Sequence, residues 1–141
     1  MFTTKSQKET FSLGKKIAGS FSGGEVLALF GELGAGKTSF AKGVINYFLP
    51  RKRVISPTFI IVRHYHPNSN AINHLVHADL YRLNNEQEID GLGLTEFMNN
   101  ESTVVLIEWA DKMPHLLPAK RQDIFFEIVS DTVRKIKIVS P

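Results

Sequence analysis

The sequence predicts a single-domain α/β fold of 141 residues, with a mixed, largely parallel sheet, flanking helices and β-rich additions. Two short continuous apolar runs, residues 26 to 30 (VLALF) and 103 to 109 (TVVLIEW), have the pattern of buried parallel strands. Helical periodicity flanks the first run, and β-rich segments fill the middle and end of the chain. The length suits one compact domain, so residues 1 to 141 are predicted to form one domain.

Two helices are predicted on either side of the first apolar run. Residues 8 to 19 carry apolar side chains near helical spacing and end at Gly19. Residues 37 to 49 carry an apolar face and stop before Pro50. Both helices are expected to pack their apolar faces on the sheet.

The remaining segments predict strands and one short helix. Residues 53 to 66 and 72 to 83 are rich in β-forming residues, and PNSNA between them suits a hairpin loop. The polar residues 85 to 100 predict a short acidic helix. Residues 123 to 140 alternate around a turn at SDT, which predicts a terminal hairpin.

Composition excludes several classes of protein. The chain has no cysteine, which excludes disulfides and thiolate metal sites and fits a reducing cytoplasm. No apolar run approaches the roughly 18 residues of a membrane span, and the N-terminus lacks the apolar core of a signal peptide, so no membrane partner is expected. The net charge of +3 permits an anionic partner such as nucleic acid without requiring one.

A glycine-rich stretch between the first strand and second helix predicts a phosphate site. Gly31, Gly36, Lys37 and Thr38 satisfy G-x-x-x-x-G-K-[ST], the P-loop pattern. Glycines let backbone N–H groups point at phosphate oxygens, and the helix N-terminus adds partial positive charge. Lys37 is then expected to bridge the β- and γ-phosphates and Thr38 to ligate Mg²⁺. The alternative is a plain glycine turn with a surface lysine.

Three residues at predicted strand ends are candidates to complete the site. Glu108 ends the second apolar run, where a P-loop protein places the carboxylate that supports Mg²⁺, although a surface carboxylate is the alternative. Asp79 shares a strand face with His77 and could orient water or a metal ligand, or pair with a cation such as Arg82. Trp109, the only tryptophan, either belongs to the core or stacks at the nucleotide site.

Three further sequence features, a threonine, two histidine pairs and a basic run, each have a functional and a structural interpretation. Thr58 in SPTF could reach the γ-phosphate or Mg²⁺ as a switch-loop threonine does, or lie in a simple turn. The pairs His64-x-His66 and His74-x-x-His77 have metal-binding spacing, but no further ligand set accompanies them, which favours polar residues on strand faces. The basic run at residues 51 to 53 is either a solvated face or a surface for RNA or an acidic partner.

Four motifs in order resemble the TsaE family, the small P-loop ATPases of tRNA threonylcarbamoyladenosine modification. They are GELGAGKTSFAKG at residues 31 to 43, SPTF at 56 to 59, HADLYRL at 77 to 83 and IEWADK at 107 to 112. The P-loop alone is shared with many unrelated nucleotide hydrolases, but its combination with His-x-Asp-Leu-Tyr-Arg and Glu-Trp is far more specific. The chain departs from many family members at Ala110, where they carry proline.

The resemblance implies a function and partners. Proteins of this family bind ATP and Mg²⁺, hydrolyse ATP slowly alone and dock on a TsaB–TsaD complex. Their ATP hydrolysis resets that complex between turnovers, whereas TsaD transfers the group onto tRNA. The implied function is that of a cytoplasmic Mg²⁺-dependent ATP hydrolase in tRNA processing, which meets tRNA indirectly through the complex.

The resemblance also implies residue roles. Asp79 would be needed for hydrolysis, Glu108 would support Mg²⁺, and Thr58 would belong to a switch-like loop. Trp109 would lie beside the nucleotide, and Arg134 is a candidate base or ribose contact. The other nucleotide-binding positions would be Thr10, near the N-terminus, and the phosphate loop, namely Glu32, Leu33, Gly34, Ala35, Gly36, Lys37 and Thr38.

Two rival classes remain open at this level. A P-loop small-molecule kinase would usually carry an arginine-rich lid, whereas residues 84 to 101 are acidic and polar and contain no arginine. A non-catalytic nucleotide- or RNA-binding adaptor would fit the basic cluster, but it would not need the full set of Lys37, Thr38, Asp79 and Glu108.

Overall fold

The computed structural model describes residues 1–51, 61–69 and 71–141, and within these residues seven strands form one sheet. The strands are β1 (Phe2–Thr4), β2 (Val26–Phe30), β3 (Val62–Tyr65), β4 (His74–Asp79), β5 (Thr103–Glu108), β6 (Gln122–Ile128) and β7 (Arg134–Val139). The helices are α1 (Gln7–Ala18), α2 (Lys37–Phe48) and α3 (Glu86–Asp90), with two single-turn 3₁₀ helices at Leu94–Glu96 and Ala110–Lys112. None of the described helices is long and apolar enough to cross a bilayer.

The strand order is β1-β7-β6-β2-β5-β4-β3, and it confirms the mixed, largely parallel sheet. The four central strands β6, β2, β5 and β4 are parallel, whereas β7 and β3 run antiparallel to their neighbours. The carboxyl ends of β2, β5 and β4 therefore meet at one edge, and Leu29 and Asp79 both pair with Glu108 there. Ligands of open α/β sheets bind outside this edge.

Each face of the sheet carries its own hydrophobic core because the central strands are buried on both sides. On β5, Val104 and Leu106 face α1 and α2, whereas Val105 and Ile107 face α3 and the 3₁₀ helices. All six residues of β5 are buried, which explains why this strand reads as a continuous apolar run with a polar end.

Helices α1 and α2 approach each other closely through two glycines. A Cβ atom at Gly14 would lie 2.1 Å from the Phe40 carbonyl oxygen, and one at Gly43 would lie 2.0 Å from the Phe11 carbonyl oxygen. Real side chains do not approach backbone oxygens so closely, so the two helices pack at this distance only because both positions lack a side chain. This contact fixes α1 beside the helix that follows the glycine-rich loop.

The structure confirms most predicted elements and corrects their limits. Both long helices, the short acidic helix and the terminal hairpin are present. The second predicted strand of the middle segment ends at Asp79 rather than at residue 83. Of the first, predicted over residues 53 to 66, the structure shows β3 (Val62–Tyr65), and residues 53 to 60 lie outside the described residues. Strand β1 was not predicted, because its three residues become a strand only by pairing with β7.

Replacing Gly43 with alanine should destabilise the protein. The added methyl group must displace the α1 backbone, which we expect to cost about 1–3 kcal/mol in the free energy of unfolding and to exceed the gain in helix propensity. Urea unfolding followed by circular dichroism measures this change. Ser12→Ala, at an exposed position of α1, is the control and should leave stability within about 0.5 kcal/mol of wild type. Equal stability of Gly43→Ala and wild type would contradict the close helix contact.

Candidate functional site at the glycine-rich loop

A cavity of about 760 Å³ opens at the carboxyl edge of the parallel strands, a volume typical of small-ligand sites. Most of the predicted site residues line it: Thr10, Leu33, Gly34, Gly36, Lys37, Thr38, Asp79, Glu108, Trp109 and Arg134. The fold therefore brings together residues from α1, the glycine-rich loop, α2, β4, β5 and β7.

Lys37 is the first residue of α2 and is only 4% exposed. Its Nζ atom donates hydrogen bonds to the carbonyl oxygens of Gly31 (2.5 Å) and Glu32 (2.8 Å) and lies 4.1 Å from the ring centroid of Trp109. Burial lowers the pKa of Lys37, and nearby carboxylates, Glu108 foremost, oppose that shift. The ammonium is thus held by backbone oxygens and an indole face inside an acidic cavity.

The loop reaches α2 through a backbone conformation that favours glycine. Gly36 has a φ of 108°, and a Cβ atom there would lie 3.2 Å from Cγ2 of Thr10. Thr10 is buried, and its Oγ1 lies 2.7 Å from Oγ1 of Thr4 and donates to the Ser6 carbonyl oxygen at 3.3 Å. The methyl group of Thr10 therefore supports the loop while its hydroxyl bonds within the N-terminal segment.

The carboxylate of Glu108 connects three elements of the site. Its Oε1 accepts a 2.6 Å hydrogen bond from the Thr38 hydroxyl at the start of α2. Its Oε2 lies 2.6 Å from Nε2 of His77 on β4. Glu108 is 2% exposed, so this charge is satisfied by neighbouring side chains rather than by bulk water.

Asp79 lies beside Glu108 at the end of the adjacent strand. The two residues are paired in register, and Asp79 is 8% exposed. Burial raises the pKa of Asp79, the Tyr81 N–H hydrogen bond to Oδ1 (3.0 Å) lowers it, and the Glu108 charge raises it further. Two carboxylates therefore share one wall of the cavity, where a cation would be favourable.

The backbone changes direction at Trp109 and turns its indole into the cavity. Trp109 follows β5 with a φ of 61°, in the left-handed region. Strand alternation therefore ends at Glu108, and the Trp109 ring lies over Nζ of Lys37 and 5.1 Å from the Tyr81 ring. The sequence left two alternatives, and the side chain both lines the cavity and packs against the core on one face of the sheet.

Arg134 joins the terminal hairpin to the glycine-rich loop. Its Nε and Nη2 donate to the Gly34 carbonyl oxygen at 3.3 and 3.0 Å. Its Nη1 donates to the carbonyl oxygens of Ser130 (2.6 Å), Val133 (3.0 Å) and Asp131 (3.4 Å). The guanidinium therefore holds two backbone segments together, and a base or ribose contact stays a prediction.

Two predicted site residues, Glu32 and Ala35, do not line the cavity. Ala35 belongs to the buried core, and the side chain of Glu32 is exposed while its carbonyl oxygen faces Lys37. The backbone of these positions still forms the loop between Gly31 and α2. Thr58, predicted for a switch-like loop, lies outside the described residues.

Three of the four histidines with metal-binding spacing, His64, His66 and His74, form an aromatic cluster, whereas the fourth, His77, contacts Glu108. The His74 ring lies 5.1 Å from the His64 ring and 4.9 Å from the His66 ring, with interplanar angles of 22° and 11°. Nδ1 of His64 lies 2.8 Å from Nε2 of His74, so one nitrogen of each of these two rings is engaged in a hydrogen bond between them. Among the described residues, no group of three histidines or carboxylates is arranged to hold a metal ion.

Several residues that line the cavity were not predicted from the sequence. Ser6, Gln7, Ser39, Tyr81, Asp131 and Thr132 also line the cavity. Gln7 lies one helical turn before Thr10, and Thr132 lies in the predicted turn before Arg134, so spacing offered a signal for both. Nothing in the spacing indicated that His77 contacts Glu108, because the two belong to different strands 31 residues apart.

The oxygen ligands in the cavity fit a magnesium nucleotide. The Thr38 hydroxyl and the Glu108 carboxylate are in contact, and Asp79 is adjacent. Mg²⁺ prefers oxygen ligands and is usually held by one or two carboxylates together with substrate phosphates and water, rather than by an all-protein cage. Thr38 and Glu108 are therefore the residues that would hold the ion.

The fold and loop together define a P-loop α/β protein, and sequence comparison identifies its family. The family profile described as "Threonylcarbamoyl adenosine biosynthesis protein TsaE" matches residues 4–136. The chain belongs to the TsaE family.

Two relatives and one solved structure illustrate the similarity. The tRNA threonylcarbamoyladenosine biosynthesis protein TsaE of Rickettsia conorii is 36% identical over 141 residues, covering 99% of this chain and 78% of the relative. The Bacillus subtilis protein of the same name is 37% identical over 133 residues, covering 94% and 80%. The crystal structure of Bacillus subtilis YdiB superposes with a TM-score of 0.78 at 29% identity, covering 99% of this chain and 83% of that chain.

Acidification should destabilise the protein through His74. Burial and the neighbouring His64 and His66 lower the pKa of His74 in the folded state. Below the unfolded value of about 6.5 the unfolded chain binds more protons, so stability falls as the pH drops from there toward the lowered folded pKa.

Urea unfolding between pH 7.5 and 5 should therefore show a shallower decline for His74→Gln than for wild type. His115→Gln, which removes an exposed histidine outside the stack, is the control. An unchanged pH dependence in the His74→Gln variant would contradict this account.

Proposed function

We propose that this protein is a Mg²⁺-dependent ATPase that supports a TsaB–TsaD complex in threonylcarbamoyladenosine modification of tRNA. One observation carries the proposal: the P-loop residues Lys37 and Thr38 lie at a single cavity with Glu108, which is bonded to Thr38. This is the combination of a phosphate-binding cation, a hydroxyl ligand and a strand-end carboxylate on which P-loop nucleotide hydrolysis depends.

The residues of the cavity divide the chemistry between them. Lys37 supplies the charge that binds the phosphates, and the N–H groups at the start of α2 add partial positive charge. Thr38 and Glu108 would hold Mg²⁺, which neutralises phosphate oxygens when it is bound. We assign to Asp79 the orientation of the attacking water, because the Tyr81 N–H fixes its carboxylate at the cavity wall. The Trp109 ring lies over Nζ of Lys37 and covers one side of the ammonium group.

The structure weighs against a small-molecule kinase. The acidic segment that would have to form a lid carries α3 and the first 3₁₀ helix, and its buried residues Ile89 and Leu94 pack on the sheet face opposite α1 and α2. None of this segment lines the cavity. Arg134, the one arginine among the described lining residues, is bonded to backbone carbonyl oxygens.

A non-catalytic adaptor is the second alternative, and the cavity argues against it. Two buried carboxylates are unfavourable for simple phosphate binding, because they repel an anionic ligand. The same carboxylates become favourable when the site also binds a metal ion and an activated water molecule. Relatives named as tRNA threonylcarbamoyladenosine biosynthesis proteins support placing this activity in tRNA processing, and hence in the cytoplasm.

The decisive experiment is phosphate release from ATP by the purified protein, alone and with TsaB, TsaD and tRNA. Slow release alone that changes when the partners are added supports the proposal. An equal rate of phosphate release with and without the partners would contradict the proposed partnership. Transfer of phosphate to an added small molecule would favour a kinase.

Lys37→Ala should weaken ATP binding. The substitution removes a charge-assisted contact worth about 1.5–3 kcal/mol, so we expect affinity to fall by at least tenfold. Titration of ATP–Mg²⁺ against the fluorescence of Trp109, the only tryptophan, measures the affinity. Lys42→Ala on the same helix removes a lysine outside the cavity lining and is the matched control. Unchanged affinity in Lys37→Ala would refute the phosphate site.

Glu108→Ala should reduce turnover more than nucleotide binding. Charge stabilisation at the metal matters most in the transition state, so we expect kcat to fall by about 100-fold or more with a smaller change in ATP affinity. Phosphate release gives kcat, and Trp109 fluorescence gives affinity. Hydrolysis of ATP by Glu108→Ala at the wild-type rate would show that Glu108 has no role in catalysis.

A further inference from the structure

His77 is a buried polar residue that has no role in the proposed hydrolysis. It lies on β4, is 0% exposed, and is not among the residues that line the cavity. The flanking strand residues Val76 and Ala78 are apolar and belong to the core. An apolar side chain would suit such a position, so the imidazole requires a reason beyond packing.

The contact with Glu108 supplies that reason. Nε2 of His77 lies 2.6 Å from Oε2 of Glu108. An ionised carboxylate only accepts hydrogen bonds, so Nε2 carries the hydrogen and donates it. Nδ1 is buried and has no hydrogen-bond partner among the described residues. A hydrogen on Nδ1 would be a buried donor without an acceptor, which is costly, so the geometry favours the tautomer protonated at Nε2.

This donor completes the restraint of the Glu108 carboxylate. The terminal torsion of a glutamate is broad, so one hydrogen bond leaves the carboxylate free to rotate. Thr38 holds Oε1 and His77 holds Oε2, and the two donors come from different elements of the fold. The fixed carboxylate in turn directs the hydroxyl hydrogen of Thr38 toward Oε1, which leaves the oxygen lone pairs of Thr38 for a metal ion.

We propose that His77 is a positioning residue that orients Glu108, and through it Thr38, for Mg²⁺. The inference rests on the proposed function but concerns a different residue, which touches neither the cavity nor a ligand. Groups that orient metal-supporting carboxylates or histidines typically change metal affinity or activity by about 10- to 100-fold when they are removed. A purely structural His77 would change stability without changing the requirement for Mg²⁺.

Two amide substitutions distinguish these roles. The Gln side chain places its amide nitrogen near the position of Nε2, whereas the shorter Asn side chain places it near that of Nδ1. His77→Gln therefore retains a donor toward Glu108, and His77→Asn retains polarity and burial without that donor. The two variants are matched in chemistry and differ in reach, so their comparison isolates the hydrogen bond.

The measurement is a Mg²⁺ titration of ADP binding followed by Trp109 fluorescence, with melting temperature recorded alongside. ADP keeps the readout independent of turnover. We expect His77→Asn to need about 10- to 100-fold more Mg²⁺ for half-maximal binding, with ADP affinity in EDTA unchanged. His77→Gln should stay within about threefold of wild type in Mg²⁺ requirement. Wild-type values in both variants, or equal losses in both, would overturn the proposal.

A double-mutant cycle tests whether His77 acts through Glu108. In a Glu108→Ala background, His77→Asn should cause no further change in Mg²⁺ requirement, because the group it orients is gone. Additive losses would show that His77 acts by another route. If wild-type protein itself binds ADP without any response to Mg²⁺, the proposed function fails before the variants are compared.

The tautomer provides a test that needs no substitution. Long-range ¹⁵N–¹H correlation spectra of histidine-labelled protein should show His77 protonated at Nε2 and unprotonated at Nδ1, with the signals assigned by their absence from His77→Gln. A hydrogen on Nδ1 with a bare Nε2 would overturn the proposal even if His77→Asn fails to fold.

Discussion

The buried carboxylate of Glu108 connects the elements on which the rest of the site depends. A buried charge is tolerated only when its oxygens are bonded, and Glu108 meets this requirement with Thr38 on one side and His77 on the other. These contacts tie the end of β5 to the beginning of α2 and to β4. The register of the parallel strands makes this possible, since Asp79 and Glu108 pair at the same edge. Fold and site are therefore coupled through one side chain.

The glycine-rich loop is held by contacts on both sides of the cavity. The close approach of α1 and α2 through Gly14 and Gly43 places Thr10 against Gly36. On the other side, the Arg134 guanidinium bonds the Gly34 carbonyl oxygen and the turn of the terminal hairpin. Both contacts join residues far apart in the chain, so the shape of the cavity depends on the whole sheet being formed. A loop of this kind is pre-organised, and less entropy is lost when a ligand binds.

Under the function we propose, the charges of the cavity would favour a metal–nucleotide complex over a free anion. Lys37 lies among acidic groups that oppose the effect of burial on its pKa, whereas burial raises the pKa of Asp79. An added divalent cation would relieve the repulsion between Asp79 and Glu108, and an added polyphosphate would give Lys37 a partner in place of backbone oxygens. Binding of the cation and binding of the polyphosphate are therefore each more favourable when the other is present. Membership of the TsaE family places this site in a protein of threonylcarbamoyladenosine biosynthesis.

Several residues that meet in the cavity could be predicted from the sequence, whereas their contacts arise only in the folded sheet. Local signals predicted the apolar strands, the two long helices, and Lys37, Thr38 and Glu108, because strand burial, helix periodicity and loop glycines act over a few residues. The sequence could not predict β1, which exists by pairing with β7, nor the direction of Trp109, which follows from a left-handed backbone turn at the end of β5. The contact between His77 and Glu108 could not be predicted either, because it depends on the order and register of the strands. Long-range pairing is a property of the folded sheet, and no spacing along the chain encodes it.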